Sequence, residues 1–158
     1  MAISGKIYAN WMREIQERKI KGILEQVMPE GRILDVGCGA GFLEKHLPNA
    51  YAVDIDLENL KKAGATKVLA SGDALPFKSK IFDTIFCIDA IRLMRNRAEL
   101  GRVLSSMGRA VASIFCNEYN KQEKLQWLKS EFKNWKIQKE FFVGSGELDA
   151  VIVCNRYS

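Results

Sequence analysis

Three glycines at alternate positions follow a short apolar run near residue 35. The segment reads Ile33-Leu-Asp-Val-Gly-Cys-Gly-Ala-Gly-Phe-Leu43, with Asp35 inside the apolar run and Gly37, Gly39 and Gly41 after it. Because glycine lacks a side chain, such a loop lets the backbone approach a ligand closely, and the free amides of a helix that begins there can point at polar ligand groups. A strand, a glycine turn and a helix in this order predict a cradle for a nucleotide cofactor.

Two further carboxylates follow later predicted strands. Asp54 comes at the end of the second strand and Asp73 after the third. Because ligands of open α/β sheets bind beyond the carboxyl ends of the strands, both should converge on the glycine loop. Asp54 can accept hydrogen bonds from both hydroxyls of a ribose and Asp73 from an exocyclic adenine amine, while Ile55 and Ala74 offer apolar surface to the ring. Singly each carboxylate could be a cap or turn residue; together they favour a cofactor site.

The elements that must position these residues form one predicted α/β domain, residues 1–158. The predicted strands are 32–36, 51–55, 67–70, 82–88 and 109–115, and the predicted helices are 7–28, 42–47, 57–63, 97–106 and 118–132. A turn is predicted at 107–108. Two last strands, 135–143 and 148–155, are joined only by Gly144-Ser-Gly146 and must form an antiparallel hairpin. The pattern predicts a doubly wound, Rossmann-like sheet that is mostly parallel, with one antiparallel hairpin strand at its edge.

Composition narrows the class of protein. The chain has 158 residues, 47% of them hydrophobic and 27% charged, which is ordinary for one globular domain. It shows neither an apolar run long enough to cross a membrane nor the apolar centre of a signal peptide, so we expect a cytoplasmic protein without a membrane partner. The four cysteines are far apart in the sequence and predict buried, reduced thiols rather than a disulfide or a metal site.

The net charge of +5 is concentrated in a lysine-rich stretch at 117–139. Such a surface could attract RNA or another polyanion. A solvated lysine-rich helix face is the favoured interpretation, because the stretch lacks interleaved exposed aromatic residues and RNA-binding motifs.

Four segments together resemble the successive motifs of class I methyltransferases that use S-adenosylmethionine (SAM). They read Ile33-Leu-Asp-Val-Gly-Cys-Gly-Ala-Gly41, Val53-Asp-Ile-Asp56, Gly72-Asp-Ala-Leu-Pro-Phe77 and Phe82-Asp-Thr-Ile85. The resemblance is to the type-11 group, which includes quinone-biosynthesis methyltransferases. It implies the seven-stranded methyltransferase fold, SAM as cofactor and S-adenosylhomocysteine (SAH) as its product. It disfavours a nucleotide-binding oxidoreductase, whose glycine register is G-x-G-x-x-G.

The resemblance also implies which residues contact the cofactor. The methionine end of SAM would be contacted by Asp35, Gly37, Cys38, Gly39 and Gly41, and the ribose by Asp54. The adenine ring would be contacted by Ile55, Asp73 and Ala74. The sulfonium would lie beside Cys87 and Ile88. The helical segment 1–30 matches the part of the family that often folds over the cofactor. No metal ligands are implied.

The acceptor side departs from the family pattern. The fourth strand ends Cys87-Ile-Asp-Ala-Ile-Arg92, without the histidines common in the type-11 group. Asp89, Arg92 and Tyr8 are the candidate catalytic residues; Arg92 either binds an anionic substrate or pairs with Asp89. The Asn-Pro-Pro-Tyr signature is absent, which argues against an exocyclic DNA adenine or a glutamine as acceptor.

The sequence therefore predicts a methyltransferase that acts by in-line displacement on a small molecule, with RNA or protein less favoured. A non-catalytic SAM-binding partner subunit is an alternative, and the basic C-terminal face keeps RNA or protein methylation open. Because the core has no large insertions, the substrate side should be open. This favours a large substrate, or a homodimer or partner subunit that completes the pocket.

Overall fold

The computed structural model describes residues 4–64 and 66–157, and it contains seven strands and four α-helices within those ranges. The strands are β1 (Ile33–Val36), β2 (Tyr51–Asp54), β3 (Thr66–Leu69), β4 (Phe82–Ile88), β5 (Leu104–Cys116), β6 (Trp135–Ser145) and β7 (Glu147–Arg156). The helices are α1 (Gly5–Gln26), α2 (Leu57–Lys62), α3 (Ala98–Val103) and α4 (Lys121–Glu131), with a 3-10 turn at Ile91–Leu93.

The strands form one sheet in the order β3-β2-β1-β4-β5-β7-β6. The first five strands are parallel, and β7 is antiparallel to both of its neighbours. The predicted fold class is confirmed, but the antiparallel strand does not lie at the edge. It lies inside the sheet because its residues from Leu148 to Cys154 are all buried, whereas β6 exposes much of its length and suits an edge.

The helix predicted at 42–47 is wrong. The chain there makes consecutive turns, with a single hydrogen bond of α-helical spacing, from the amide of Leu47 to the carbonyl of Leu43. Gly41 enters the segment in the left-handed region, at φ +82°, and Pro48 follows it, so too few residues remain to sustain a helix. The amides predicted to point from a helix at a ligand are therefore amides of a loop.

The turn predicted at 107–108 is also wrong, because both residues lie inside β5. Pairing between β4 and β5 begins early, at Phe82 and Leu104, and shifts register before Thr84 meets Arg109. This irregularity accommodates Gly108 within β5, so the strand continues through it. The remaining predicted elements have boundaries within a few residues of those observed, except that α3 and α4 are shorter than expected.

Helices cover both faces of the sheet, as the alternating strand pattern requires. In β4, Ile85 faces the cluster that includes Leu125 and Leu128 of α4, and Phe86 faces the cluster that includes Ile23 of α1. All four cysteines are free and buried, which confirms the interpretation as reduced core thiols. Within the described ranges, no helix has the length and apolar character needed to cross a membrane.

A buried ion pair holds α1 on the sheet. Lys19 Nζ lies 2.8 Å from Asp149 Oδ1, with both side chains almost fully buried. Ser113 Oγ donates a hydrogen bond of 2.7 Å to the other carboxylate oxygen of Asp149, and the ammonium lies 4.8 Å from the centroid of the Phe115 ring. The pair thus joins α1, β5 and β7 at the carboxyl end of β5.

We expect Lys19→Met to lower the free energy of unfolding by about 3–5 kcal/mol, because it leaves the buried carboxylate of Asp149 without its cation. Urea denaturation followed by circular dichroism measures the change. Lys21→Met is the matched control, since Lys21 is exposed on the same helix and its loss should change stability by less than about 0.5 kcal/mol. Equal effects of the two substitutions would contradict the assigned role of the pair.

Candidate functional site

Two adjoining cavities open at the carboxyl ends of the parallel strands. The first, here called the β2–β3 cavity, has a volume of about 460 Å³ and is lined by residues that follow β1, β2, β3 and β4. The second, the α1 cavity, has a volume of about 670 Å³ and is roofed by one face of α1. Both are lined by Gly37, Gly39, Asn59, Ile88 and Asp89. They meet between β1 and β4, where the strand order reverses and ligands of such sheets bind.

The three glycines of the loop have different roles, although all have positive φ. A Cβ atom at Gly37 would lie 2.6 Å from the Cβ of Ala90, and one at Gly41 would lie 2.5 Å from the Cα of Ala63. At Gly39 a Cβ would meet no atom within 4 Å. Gly41 lines neither cavity. Gly37 and Gly41 therefore permit close packing of the chain, and Gly39 presents bare backbone to the cavities.

Asp54 is held rigidly at the end of β2. Its Oδ2 accepts a hydrogen bond of 2.9 Å from the amide of Gly39, and its Oδ1 accepts one of 2.8 Å from the amide of Asp56. The carboxylate lines the β2–β3 cavity. Each oxygen keeps a further lone pair, so the carboxylate can still accept a pair of hydroxyl donors from a ligand.

The residues expected around an adenine ring are only partly brought together. Asp73 lines the β2–β3 cavity, and its Oδ1 accepts hydrogen bonds from the amides of Arg95 and Asn96 at 2.7 and 2.8 Å. This anchoring leaves its other oxygen for a ligand. Ile55 lines the same cavity and is 73% exposed. Ala74 is exposed and lines neither cavity.

Two buried carboxyl groups lie together beneath the glycine loop. Asp35 lines the α1 cavity and lies near Glu44, which lines neither cavity; the two residues are 3% and 2% exposed. Burial, and then the proximity of Glu44, raises the pKa of Asp35 well above its usual range. Among the described residues no cation pairs with either carboxyl group. The floor of the cavity is thus suited to a cationic ligand group.

Sequence reasoning missed Glu44. In the sequence it is one acidic residue in a stretch predicted as a short helix, and no signal separates it from a solvent-facing glutamate. Only the turns that replace that helix bring it onto Asp35.

Asp89 has a strained backbone where the two cavities meet. It is one of two non-glycine residues with positive φ in the described chain, at +56°. Its amide donates to the carbonyl oxygen and to Oγ of Ser113, both at 3.2 Å. Burial, and then the nearby Asp149, raises the pKa of Asp89 to about 8, with Lys19 opposing the shift. Strain of this kind is concentrated at functional sites.

The other predicted site residues are less central. Cys38 is buried and lines the α1 cavity, whereas Cys87 lies in the core, with its sulfur 3.8 Å from that of Met94. Arg92 is exposed and forms no ion pair with Asp89 in the described structure; Tyr8 is exposed on α1. Neither Arg92, Tyr8 nor Cys87 lines either cavity. No cluster of metal-ligating side chains is found among the residues that the structure describes.

Comparison with known proteins agrees with this geometry. The family profile described as a methyltransferase domain, type 11, matches residues 34–113, half of the chain. An uncharacterised protein of Methanocaldococcus jannaschii is 33% identical over 83% of this chain and 55% of its own length. The chain belongs to the type-11 group of class I SAM-dependent methyltransferases, a family whose cofactor is SAM. It spans about half the length of the curated relatives it matches.

Solved structures support the fold at low sequence identity. A SAM-dependent methyltransferase and possible histamine N-methyltransferase from Thermotoga maritima aligns with a TM-score of 0.72 at 19% identity, covering 95% of this chain and 94% of the other. A methyltransferase of Haloferax volcanii, in complex with the Trm112 methyltransferase activator, aligns with a TM-score of 0.77 at 14% identity, covering 93% of each chain.

The residues of the site fit SAM. Asp35, a buried carboxyl group that pairs with no cation among the described residues, can accept an ammonium group. The anchored carboxylate of Asp54 can accept ribose hydroxyls, and Gly39 leaves room for a ligand that crosses from one cavity to the other. A cationic sulfonium is also favoured by the acidic surroundings.

We expect Gly39→Ala and Gly41→Ala to separate ligand binding from packing. Each introduces a Cβ at positive φ, with strain of about 1–2 kcal/mol. Gly39→Ala should lose little stability beyond that strain and should bind SAM at least about tenfold more weakly. Gly41→Ala should be the less stable variant, because its Cβ meets the backbone of Ala63. Thermal melts and SAM titration measure both effects; unchanged SAM affinity in Gly39→Ala would show that the loop does not contact the cofactor.

Proposed function

We propose that this protein is an active SAM-dependent methyltransferase whose cofactor lies across both cavities. The observation that carries the proposal is the position of two carboxylates on either side of Gly39. Asp54 lines the β2–β3 cavity and Asp35 lines the α1 cavity, so one ligand that passes over Gly39 reaches both. In SAM the ribose, with its adenine, and the ammonium group lie on opposite sides of the sulfonium.

In this arrangement Asp54 would bind the ribose hydroxyls, Asp73 and Ile55 the adenine, and Asp35 the ammonium group. When bound, SAM supplies an activated methyl group that a nucleophilic acceptor atom takes by in-line displacement, the electrons of the carbon–sulfur bond leaving on sulfur. The backbone at Ile88, which lines both cavities, would lie beside the reacting centre. The chain contributes mainly by alignment and by excluding water.

A small-molecule acceptor is favoured by the shape of the α1 cavity. Met12, Arg13 and Gln16 of α1 line this cavity together with Asp89, so that a helix forms one of its walls. Its volume of about 670 Å³ must hold the amino-acid end of SAM as well as the acceptor, which favours a small acceptor. An RNA or protein acceptor would need a site open to a larger surface.

The four buried, free cysteines support a reducing, cytoplasmic location.

Asp89 is the residue that we assign to proton transfer. Asp89 lines both cavities where they meet, and its Oδ1 is buried without a hydrogen bond from any described residue. A pKa of about 8 makes its carboxylate basic enough to take the proton that an amine or hydroxyl acceptor loses. The hydrogen bonds from its amide to Ser113 keep the side chain at this position.

A second candidate is an enzyme completed by a partner subunit or a second copy of this chain. Tyr8 and Trp11 form an exposed aromatic pair on α1, with ring centroids 6.0 Å apart and each residue about half exposed. The Haloferax volcanii neighbour was solved in complex with an activator. Light scattering of the purified protein tests self-association, and a monomer that binds SAM and transfers methyl groups alone would exclude this candidate.

Calorimetric titration tests cofactor binding. We expect SAM and SAH to bind with micromolar affinity and NADH not to bind. Asp54→Asn should weaken SAM binding by about tenfold to hundredfold, because a hydrogen bond to a charged group contributes about 1.5–3 kcal/mol.

Asp83→Asn is the matched control for this substitution. Asp83 also accepts a backbone amide hydrogen bond, from Arg32 at 2.8 Å, but it lies at the start of β4, far from the cavities. Equal SAM affinity in Asp54→Asn and Asp83→Asn would reject the ribose assignment, and failure of the wild-type protein to bind SAM or SAH would reject the proposed function.

Methyl transfer to an acceptor found by screening with labelled SAM tests Asp89. Because the base must be deprotonated, we expect kcat/KM to rise about tenfold per pH unit below a pKa of about 8 and to level off above it. Asp89→Asn should lower kcat/KM by about 10²–10⁴-fold and abolish this rise. A pH profile that is the same in wild type and Asp89→Asn would assign the titration to the acceptor itself.

A further inference from the structure

A chain of buried polar contacts runs from α1 to the backbone of Asp89. Lys19 of α1 pairs with Asp149 of β7 at 2.8 Å, and the hydroxyl of Ser113 on β5 donates to the other oxygen of that carboxylate at 2.7 Å. The oxygen of the same hydroxyl accepts a hydrogen bond of 3.2 Å from the amide of Asp89. Lys19, Asp149 and Ser113 are each at most 1% exposed, so the chain of contacts is shielded from water.

Asp89, at one end of this chain, has a backbone that needs support. Its φ of +56° lies in the left-handed region, which residues other than glycine rarely adopt. Its amide donates to two acceptors of Ser113, the hydroxyl and the carbonyl oxygen. Strained conformations of this kind persist only where the surrounding structure determines them. The hydroxyl of Ser113, which Asp149 holds in one orientation, is therefore part of what keeps Asp89 in place.

Lys19, at the other end, belongs to the helix that forms a wall of the α1 cavity. Met12, Gln16 and Ile20 of α1 line that cavity, and Lys19 is adjacent to Ile20. Apart from Lys19, the buried residues of α1 are all isoleucines. Because apolar contacts are non-directional, the ion pair of Lys19 is the contact best suited to fix where α1 sits on the sheet.

We propose that Lys19, Asp149 and Ser113 are positioning residues, which orient Asp89 for proton transfer when α1 is docked on the sheet. The inference rests on the proposed function, in which Asp89 takes the proton of the acceptor. None of the three residues lines either cavity, so they act through Asp89. Docking of α1 then completes the wall of the α1 cavity and orients the base in the same step.

NMR of the ligand-free protein tests the coupling without any activity. We expect Ser113→Ala to shift the amide signal of Asp89 and to speed its hydrogen exchange by about two- to tenfold, because the amide loses one of its two acceptors. Lys19→Met should shift the same signal from the other end of the chain. If Lys19→Met does not fold, Asp149→Asn tests the same link and should also shift the signal.

Ser105→Ala is the matched control for Ser113→Ala. Ser105 also lies on β5 and its hydroxyl also donates to a carboxylate, that of Asp83 at 3.1 Å, but it lies near the opposite end of the strand. Lys21→Met is the control for Lys19→Met, since Lys21 is exposed on the same helix. Both controls should leave the amide signal of Asp89 unchanged.

Methyl-transfer kinetics test whether the chain acts on the base. Ser113→Ala should lower kcat by about tenfold to hundredfold, since a small misplacement of a reacting group has an effect of this size. SAM affinity and the KM for the acceptor should stay close to those of the wild type. In the Asp89→Asn background, Ser113→Ala should lower kcat by less than about twofold, because the carboxylate that Ser113 positions is already absent.

Ser113→Thr separates positioning from stability. It keeps the hydroxyl and should retain most of kcat, although an added methyl group at a buried site should lower its melting temperature. Ser113→Ala should lose kcat whatever its melting temperature.

Three results would each overturn the inference: an unchanged amide signal of Asp89 in Ser113→Ala or in the folded Lys19 or Asp149 variant, an undiminished effect of Ser113→Ala in the Asp89→Asn background, or equal kcat in Ser113→Ala and Ser105→Ala. The proposed function would survive them if the wild type binds SAM and transfers methyl groups. A wild type that does neither would overturn the proposed function and this inference with it, as would a wild-type kcat in Asp89→Asn for the assignment of the base.

Discussion

The glycine loop depends on the end of β2 for its hydrogen bonds. The amides of Gly37 and Cys38 both donate to the carbonyl of Val53, at 2.8 and 3.0 Å, and the amide of Gly39 donates to the side chain of Asp54. No helix directly follows the loop, so these loop amides are held in place by their hydrogen bonds to β2. The positions of the loop and of the Asp54 carboxylate are therefore set together, by the pairing of β1 with β2.

The buried carboxyl groups on the two sides of the site differ in whether a cation pairs with them. Under the glycine loop, Asp35 and Glu44 form no ion pair with a cation among the described residues, so a positive ligand group can compensate their charge. Asp149 of β7 has its own cation in Lys19, and the neighbouring Asp89, which follows β4, has a raised pKa. Because an uncompensated buried charge is costly, each arrangement favours one protonation state. The first is suited to binding a cation and the second to accepting a proton.

The strands could be predicted because apolar runs bounded by glycine, proline and aspartate are local signals. Gly37, Gly39 and Gly41 read alike in the sequence, yet their neighbours differ: Ala90 for the first, open space for the second and Ala63 for the third. These differences depend on segments far away in the chain. The same holds for β7, whose place between β5 and β6 follows from burial on both faces and not from the hairpin loop.

The sequence by itself determined the parallel α/β sheet, the family, and the positions of Asp35, Asp54 and Asp73 at strand ends, because strand periodicity and motif spacing are properties of adjacent residues. Only the tertiary structure decided that the segment after the loop forms turns, that Glu44 is buried against Asp35, and that Lys19 pairs with Asp149 beside Asp89. Whether a charged side chain is solvated or buried depends on what packs over it. That is decided by contacts between residues distant in the sequence, which no local pattern records.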